Sequence, residues 1–586
     1  MKTNLNTYKR LLAMFTILVM GMGTLVASGT KDDYTNSYLT IESLTDNNTI
    51  TLRIPPGVTS AELTSVSYST DGTDWTALEI DSTLQTIIVG LNQGDKVYFK
   101  GLGRQYATYD APSYCNFSGT DDFMVYGNIM SLLYGDDFAS QTTLPAGSDN
   151  TFSALFMDND HLVSAENLIL PATALIERCY SYMFFNCPSL TKAPALPATT
   201  LADRCYMYMF IDCTSLATPP ALPATDLEYG CYVGMFYGCA SLMTAPELPA
   251  TTLADWCYFR MFYDCSSLTT APALPATDLA DYCYYVMFYG CSSLTTPPAL
   301  PATTMKYACY ANLFENCYSL SEAPELPATD LAEFCYYNTF HCCTSLTIAP
   351  ELPATDLADE CYYGMFFGCS SLIEAPELPA TSLKYACYEY MFEGCSSLIE
   401  APELPATVLA DRCYYRMFNS CSSLTETPEL AAAVLADSCY VMMFNNCSSL
   451  AEVTCLATDI SASGCTYEWL DSVAPCGTFY KAPEMYDWPL NSISGIPEGW
   501  SVTDWDKVDE QQEQLAFYPN PVKDMLHITS SGIQSVKVFD AQGHLIHSEE
   551  CGHANQVKLD FQGLAKGIYT VSVQSEGGDV IRKVVF

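Results

Sequence analysis

Cysteine is the residue type with the most chemical potential in this sequence, and its spacing decides which chemistry is open to it. Of the 28 cysteines, one series stands at 179, 205, 231, 257, 283, 309, 335, 361, 387, 413 and 439, and a second at 187, 213, 239, 265, 291, 317, 343, 369, 395, 421 and 447, every interval being 26 residues. Zinc sites draw on closer Cys pairs joined by His or further Cys. Here the paired positions are eight residues apart and the chain has 6 His. No metal site is therefore expected. Eight residues of a helix rise about 12 Å, whereas a disulfide holds its Cα atoms about 4.4–6.8 Å apart. Pairing within a unit requires that the segment not be helical throughout. Pairing between units joins like positions and leaves one of the eleven in each series over. An irregular copy places Asn159 where the second cysteine belongs. A position that accepts Asn does not demand a disulfide, so the reading is two ladders of buried, reduced thiols, with some disulfides as the alternative.

Other reactive constellations are missing from the sequence. There is no G-x-S-x-G, no H-E-x-x-H and no phosphate-binding glycine loop. His544, His547, Cys551 and His553 form the nearest approach to a metal cluster and read as an exposed hairpin. No catalytic residue and no cofactor is assigned, and the protein is expected not to be an enzyme. With 24 Lys and Arg against 67 Asp and Glu, the net charge is −43. Such a surface repels phosphate backbones, so nucleic acid is excluded as a partner.

The elements that must position these cysteines come from the repeat. Eleven copies read roughly L-P-A-T-x-L-A-D-x-C-Y-x-x-M-F-x-x-C-S-S-L-T-x-A-P-x across residues 170–455. A fixed period of this length with a leucine framework predicts coils stacked into a solenoid, about 5 Å per coil and about 55 Å long. Cys257, Met261 and Cys265 fall at i, i+4 and i+8, which predicts a helical segment. Phe holds one place in every copy: Phe184, Phe210, Phe236, Phe262, Phe288, Phe314, Phe340, Phe366, Phe392, Phe418 and Phe444. These are the expected core anchors. Pro272 and its equivalents should keep strand pairing short. Glu247, Glu325, Glu351, Glu377, Glu403 and Glu429 share one position and predict a solvated acidic stripe. Tyr follows the first Cys in all copies and is assigned to packing. The residues after it vary, and Phe259, Tyr285, Tyr337, Tyr363, Tyr415 and Arg416 are the candidate ligand contacts.

The unit resembles BspA-like leucine-rich repeats, whose coil runs I-x-x-x-A-F-x-x-C-x-x-L-x-x-I-x-I-P. Cys257 stands for the buried aliphatic residue, Met261-Phe262 for Ala-Phe, Cys265 for the ladder Cys or Asn, and Leu268 for the strand leucine. The first Cys and the Ala-Pro strand depart from that pattern. The resemblance implies adhesion, with a protein or glycan ligand such as host matrix or another bacterium.

Residues 1–28 carry Lys2, Lys9 and Arg10, an apolar run and small residues at Val26-Ala27-Ser28, the form of a cleaved signal peptide. No later run is apolar and long enough to span a bilayer, so no transmembrane segment is expected in the mature chain. Alternating runs at 36–110 predict a β-sandwich. Residues 111–169 and 456–502 are read as N- and C-terminal caps, and 503–514 as a linker. Residues 515–586 predict a second β-sandwich. Its motifs FYPNP at 517–521, VFDAQGHLI at 538–546, GLAKGIYTV at 563–571 and the terminal RKVVF resemble the C-terminal sorting domain of the type IX secretion system. The matching residues are Tyr518, Pro519, Asn520, Pro521, Gly567 and Tyr569. The resemblance implies handling by that secretion machinery in a Bacteroidetes-type bacterium, with the product released or surface-attached. The sequence thus predicts an α/β solenoid of leucine-rich-repeat-like coils flanked by β-sandwiches, with adhesion or ligand binding as its work and a self-associating surface coat as the alternative.

Overall fold

A computed structural model describes residues 33–505, except 81–82, 109–112, 487 and 491–492, and residues 516–586, except 519–521, 523–524, 541–543, 562 and 576–577. The signal peptide expected at 1–28 and the linker beyond 505 lie outside the described residues. The chain divides into two units, Met1–Asp504 and Trp505–Phe586.

The first unit begins with nine strands: β1 (Leu39–Ser43), β2 (Asn48–Ile54), β3 (Leu63–Ser69), β4 (Thr76–Glu79), β5 (Gln85–Leu91), β6 (Lys96–Gly103), β7 (Asn116–Gly119), β8 (Phe123–Asn128) and β9 (Leu162–Ile169). They form a six-stranded sheet, β4-β3-β6-β1-β8-β9, and a three-stranded sheet, β5-β2-β7. Alternating side chains bury Ile50, Leu52 and Ile54 from β2 and Val97 and Phe99 from β6. Phe99 of the larger sheet meets Phe117 of the smaller edge-on at 4.8 Å. The boundary expected at 110 is corrected. β7 pairs with β2 and β8 with β1, so the segment read as a separate cap completes both sheets.

From residue 170 the chain stacks coil upon coil, but the helical segment is absent. Among the described residues the one α-helix is the four-residue stretch Ser131–Tyr134. In the Cys-Tyr-x-x-Met-Phe-x-x-Cys stretch every fourth residue has positive φ, as at Arg178, Tyr182 and Asn186. Alternate N–H groups close tight turns onto the third residue back, as in Ser181 to Arg178 O at 3.1 Å and Phe185 to Tyr182 O at 3.0 Å. The N–H groups between them cross to the next coil, as in Tyr180 to Cys205 O at 3.0 Å and Phe184 to Met209 O at 2.9 Å. An α-helix turns about 100° per residue, so positions four apart drift by about 40° each step. Here the repeat is four residues, and two of every four side chains, Cys-Tyr and then Met-Phe, stay buried in register. The α half of the expected α/β coil is thus a run of turns.

The Ala-Pro-x-Leu-Pro-Ala stretch is extended, with Leu and Ala buried and the intervening residues exposed. Isolated parallel bridges such as Thr244 to Thr270 flank it, so pairing between coils is kept short beside the prolines. Continuous pairing appears only at the end, where β10 (Glu452–Cys455), β11 (Thr478–Lys481) and β12 (Ser501–Asp504) form a parallel sheet. β11 lies in the segment expected to cap the array, whereas β10 belongs to the end of the expected array and β12 runs on to Asp504, past the boundary expected at 502.

All eleven anchor phenylalanines have 0% exposure. They stack ring on ring at 5.4–5.7 Å. The column runs on through Phe156 into Phe117. A second column begins at Tyr106 and Phe152, passes through Tyr180 to Tyr440 and ends on Trp469 and Trp488.

The second unit is an antiparallel sheet of β13 (Ala516–Tyr518), β14 (Met525–Phe539), β15 (Leu545–Asp560), β16 (Ile568–Ser575) and β17 (Gly578–Val585). One edge of β14 carries β15; the other carries β13 and then β16. In its hydrogen bonding this is one connected sheet, which narrows the sandwich expected here. Its core holds Leu526, Ile528, Val536, Phe561, Val571 and Val573.

A large-to-small change in a buried column should cost far more than one outside it. Phe314→Ala is expected to lose roughly 3–5 kcal/mol, and Met243→Ala, at a position 59% exposed, about 0.5 kcal/mol or less. Urea unfolding followed by circular dichroism measures both.

Candidate functional site

Each second-series thiol lies 3.0–3.1 Å from a phenylalanine carbonyl of the preceding coil, as Cys213 to Phe184 O and Cys265 to Phe236 O. The thiol donates backwards along the array. Asn159 does the same work in the irregular coil, its Nδ2 donating to Phe117 O at 2.6 Å. Burial pushes these thiols up, Cys187 to about 12 and Cys265 well above the ordinary value. Cys476 is exposed, Cys342 and Cys551 are half-buried, and the remaining cysteines are buried.

With Cys-Tyr and Met-Phe inside, the turn segment presents five other places outward: the residue before the first Cys and those two, three, six and seven after it. The inward places barely vary across the coils. The outward ones run, for the second residue after Cys, through Ser181, Met207, Val233, Phe259, Tyr285, Ala311, Tyr337, Tyr363, Glu389, Tyr415 and Val441. The candidate contacts Phe259, Tyr285, Tyr337, Tyr363, Tyr415 and Arg416 all lie on this face, and all are half-buried. Phe259 stacks on Tyr285 at 5.4 Å and Tyr337 on Tyr363 at 4.4 Å. Tyr363 and Tyr415 each meet Tyr390 edge-on.

Several partners on this face were not singled out from the sequence. Trp256 stacks on Tyr282 at 4.0 Å and meets Phe259 edge-on at 4.9 Å. Tyr237, Tyr263 and Tyr289 form a ladder at 4.4 and 4.5 Å. The Arg260 guanidinium lies 4.7 Å from the Phe259 ring. Gly290 in the same face has φ +71, and a Cβ there would meet Asp264 Oδ1 at 2.0 Å, so the aspartate of one coil lies over the glycine of the next. The signal that could have found these residues is the four-residue step, which places residues −1, +2, +3, +6 and +7 on one side.

Arg416 is also part of an ion-pair row. It lies 2.8 Å from Glu393, and Arg412 pairs with the buried Glu389 through Nε at 2.8 Å. Each pair spans 23 residues and ties adjacent coils. Burial outweighs Arg416 at Glu393 and pushes that carboxyl up to about 7. On the extended face Glu247, Glu325, Glu351, Glu377 and Glu403 are exposed and Glu429 is half-buried. A second acidic column, missed in the sequence, is aligned by parallel bridges between Glu374 and Glu400 and between Glu426 and Glu452. The Asp of the Leu-Ala-Asp motif is structural where it accepts the N–H one coil on, as Asp281 does from Tyr307 at 3.0 Å.

Among the described residues one group has metal-ligand types together: Asp121, Asp122 and His161. His161 Nδ1 is 3.1 Å from Asp122 Oδ1, and all three are half-buried. In the second unit His544 contacts Asp540 at 3.0 Å and His547 lies 3.5 Å from Glu549. Of the sorting-motif residues, Tyr518 is exposed and stacks on His527 at 5.3 Å. Tyr569 is buried edge-on against Phe561 at 5.5 Å. Gly567 N–H donates to Phe586 O at 2.7 Å, and Gly567 O accepts from Phe586 N–H at 3.0 Å, fastening Phe586. Pro519, Asn520 and Pro521 lie outside the described residues.

The family model described as a secretion system C-terminal sorting domain matches residues 516–586, the span of β13 to β17 and the final residue. This domain marks the protein for export by type IX secretion, so the protein is secreted or attached to the outer-membrane surface. No helix among the described residues is long and apolar enough to cross a membrane. No curated protein matches the chain. Among solved structures it is similar to the chain of a TLR13–ssRNA13 complex, at 13% identity and a TM-score of 0.21, over 54% of this chain and 47% of that one. The chain thus spans about half the length of that neighbour.

Two outcomes follow from the burial of these groups. Iodoacetamide at about pH 8 should label Cys476 first and Cys342 and Cys551 more slowly, while the other cysteines react only after denaturation, because alkylation needs accessible thiolate. Peptide mapping by mass spectrometry reads this. The carboxyl of Glu393 titrates near 7 in the fold and near 4.5 when exposed. Its buried charge therefore costs nothing below about pH 4.5 and its full amount above about pH 7. Relative to Glu393→Gln, the native chain should lose stability between about pH 5 and pH 8; urea midpoints that show a constant difference would contradict this.

Proposed function

We propose that this exported chain is a non-catalytic binding protein, an array of leucine-rich-repeat-like coils related in form to the BspA-like repeats, and that it docks another polypeptide along the outer face of its turn segments. The observation that carries the reading is the contrast within the repeat. Cys, Tyr, Phe and the ladder Cys recur in all eleven coils, while the adjoining positions, half-buried where they carry the large aromatics, change from coil to coil and are rich in Tyr, Trp, Phe and Arg. Packing fixes the residue type at the inner positions, whereas the outer ones accept many residue types, so they can differ from coil to coil to match a partner. Tyr, Trp and Arg are also the side chains that dominate interface energies.

The stacking favours polypeptide over glycan. Sugars dock on the open faces of aromatic rings. In Tyr337–Tyr363 and Tyr263–Tyr289 the rings turn a face on each other at 4.4 and 4.5 Å, so that face is not open to a sugar. Burial raises the hydroxyls of Tyr282, to about 12, and of Tyr337. They remain neutral O–H groups, Tyr282 paired with Tyr307 and Tyr337 with Tyr363. Residues 170–455 hold 30 acidic and 8 basic side chains, a field that draws a partner with a basic surface.

The test is a screen of the full chain against extracellular-matrix glycoproteins, bacterial surface proteins and glycan arrays. The quadruple variant Trp256→Ala, Phe259→Ala, Tyr282→Ala and Tyr285→Ala serves as the control. A protein partner lost at least tenfold in the variant, with folding intact by circular dichroism, supports the reading. Glycan binding that survives in the variant, or self-assembly without any partner, overturns it.

A further inference from the structure

One coil of the array carries side chains that its packing does not call for. In the coil that begins at Cys335, the sixth and seventh places after the first Cys hold His341 and Cys342. The seventh place has positive φ, 58° at Cys342, a conformation that suits Gly, Asn and Asp. In the other ten coils it is Gly, Asn, Asp or Ser, as in Gly290, Asn316 and Ser420. Cys342 therefore stands outside both ladders, and it is half-buried where their thiols are buried.

Three side chains from two coils meet there. His341 Nδ1 lies 2.9 Å from Oε1 of Glu315, which occupies the same place one coil earlier. Glu315 is itself held, its Oε2 accepting from Asn312 Nδ2. From the next coil the Phe367 ring meets the imidazole edge-on at 4.6 Å. Burial opposes charge on this imidazole, but its hydrogen bonds to Cys342 and Glu315 prevail and hold it up to about 9. The Cys342 sulfur lies over Gly368, where a Cβ would approach it to 3.0 Å.

A thiol beside a base that a carboxylate orients is the arrangement of an activated nucleophile. Cys551, also half-buried, has a different setting: burial and the carboxylates of Glu549 and Glu550 push its thiol up.

We propose that Cys342 is an exchange site for a low-molecular-weight disulfide, with His341 taking the thiol proton and Glu315 fixing the imidazole. In the step, Cys342 Sγ bonds to one sulfur of R–S–S–R as the S–S bond of that molecule breaks. The electron pair of the broken bond leaves on the second sulfur, which takes the proton from His341 and departs as R–SH. Cys342 is oxidised to a mixed disulfide and half of the small disulfide is reduced to thiol, so the exchange needs no further oxidant. An exported chain meets such disulfides. The neighbouring thiols Cys343 and Cys369 are buried and donate to Phe314 O and Phe340 O, each at 3.1 Å. The adduct therefore stays until a free thiol removes it. Because the site is built into one coil, it does not depend on a polypeptide partner.

The probe is cystamine, added to the full chain at about pH 7, with the adduct at each cysteine followed in time by peptide mapping and mass spectrometry. Cys342 should acquire the adduct at least tenfold faster than Cys551, and dithiothreitol should remove it. His341→Gln should slow Cys342 at least tenfold and Glu315→Gln at least threefold, with Cys551 unchanged. Loosened packing would expose Cys342 and speed it, so the direction of the change separates the relay from a structural role. Circular dichroism establishes that each variant is folded. Should His341→Gln not fold, the Glu315→Gln comparison and the native ratio of Cys342 to Cys551 decide. A native ratio near one, a folded variant in which Cys342 reacts unchanged or faster, or adducts on Cys343 and Cys369 at the rate of Cys342 would overturn the proposal.

Discussion

Backbone hydrogen bonding between coils is the constraint on which the rest of the structure depends. In the turn segment half of the N–H groups close turns within the coil, and the other half reach the carbonyls of the next one. A coil alone would leave those groups unpaired, and buried backbone groups are almost never left so. The array therefore has to begin and end on something that is not another identical coil. At the start Phe152 and Phe156 donate to Cys179 O and Met183 O, so the irregular coil supplies the first partners. At the end Phe444 and Asn446 donate to Trp469 O and Asp471 O. The aromatic columns terminate at the same places, in Phe117 and Tyr106 at one end and Trp469 at the other.

The same constraint divides labour among side chains. A four-residue step holds two places inward in every turn, and the stacked rings at 5.4–5.7 Å leave no room for variation there. It also requires one residue in four to adopt the left-handed region. Asn186, Asp212, Asp264 and Asn446 suit it at one place. At the other two such places bulky residues, Trp256 and even β-branched Val286, accept the conformation. The inter-coil bonds on either side of them hold the backbone, which frees those positions for surface chemistry.

How much of this was legible in the sequence varied with the physics involved. The period, the phenylalanine core and the equivalence of Asn159 with the ladder cysteines follow from residue types at fixed spacing, and local pattern carries them. The helix did not follow, because positions i, i+4 and i+8 fit a slightly drifting helix as well as a strict four-residue turn. What separates the two is the Gly, Asn or Asp seven residues after the first Cys, such as Gly238, Asp264 and Asn446. The sheet boundary near 110 was illegible because β7 and β8 pair with strands that precede them by some 65 to 85 residues.

The cysteines pose a last physical question, since an exported chain meets oxidants that a cytosolic one does not. Exchange and oxidation proceed through the thiolate. Burial works against that form throughout the ladders, and at the second series the S–H is also engaged with a phenylalanine carbonyl at 3.0–3.1 Å. The sulfur then behaves as a small, polarizable core group with one weak donor. It fills the space beside the aromatic column and satisfies a carbonyl lone pair, a combination that neither Ala nor Val offers. Asn offers the donor without the apolar surface, which is consistent with its use in the irregular coil, where the ladder has only one neighbour of its own kind. The protection is therefore built from the stacking itself: as long as the coils remain in contact, the thiols are both useful to the fold and withheld from chemistry.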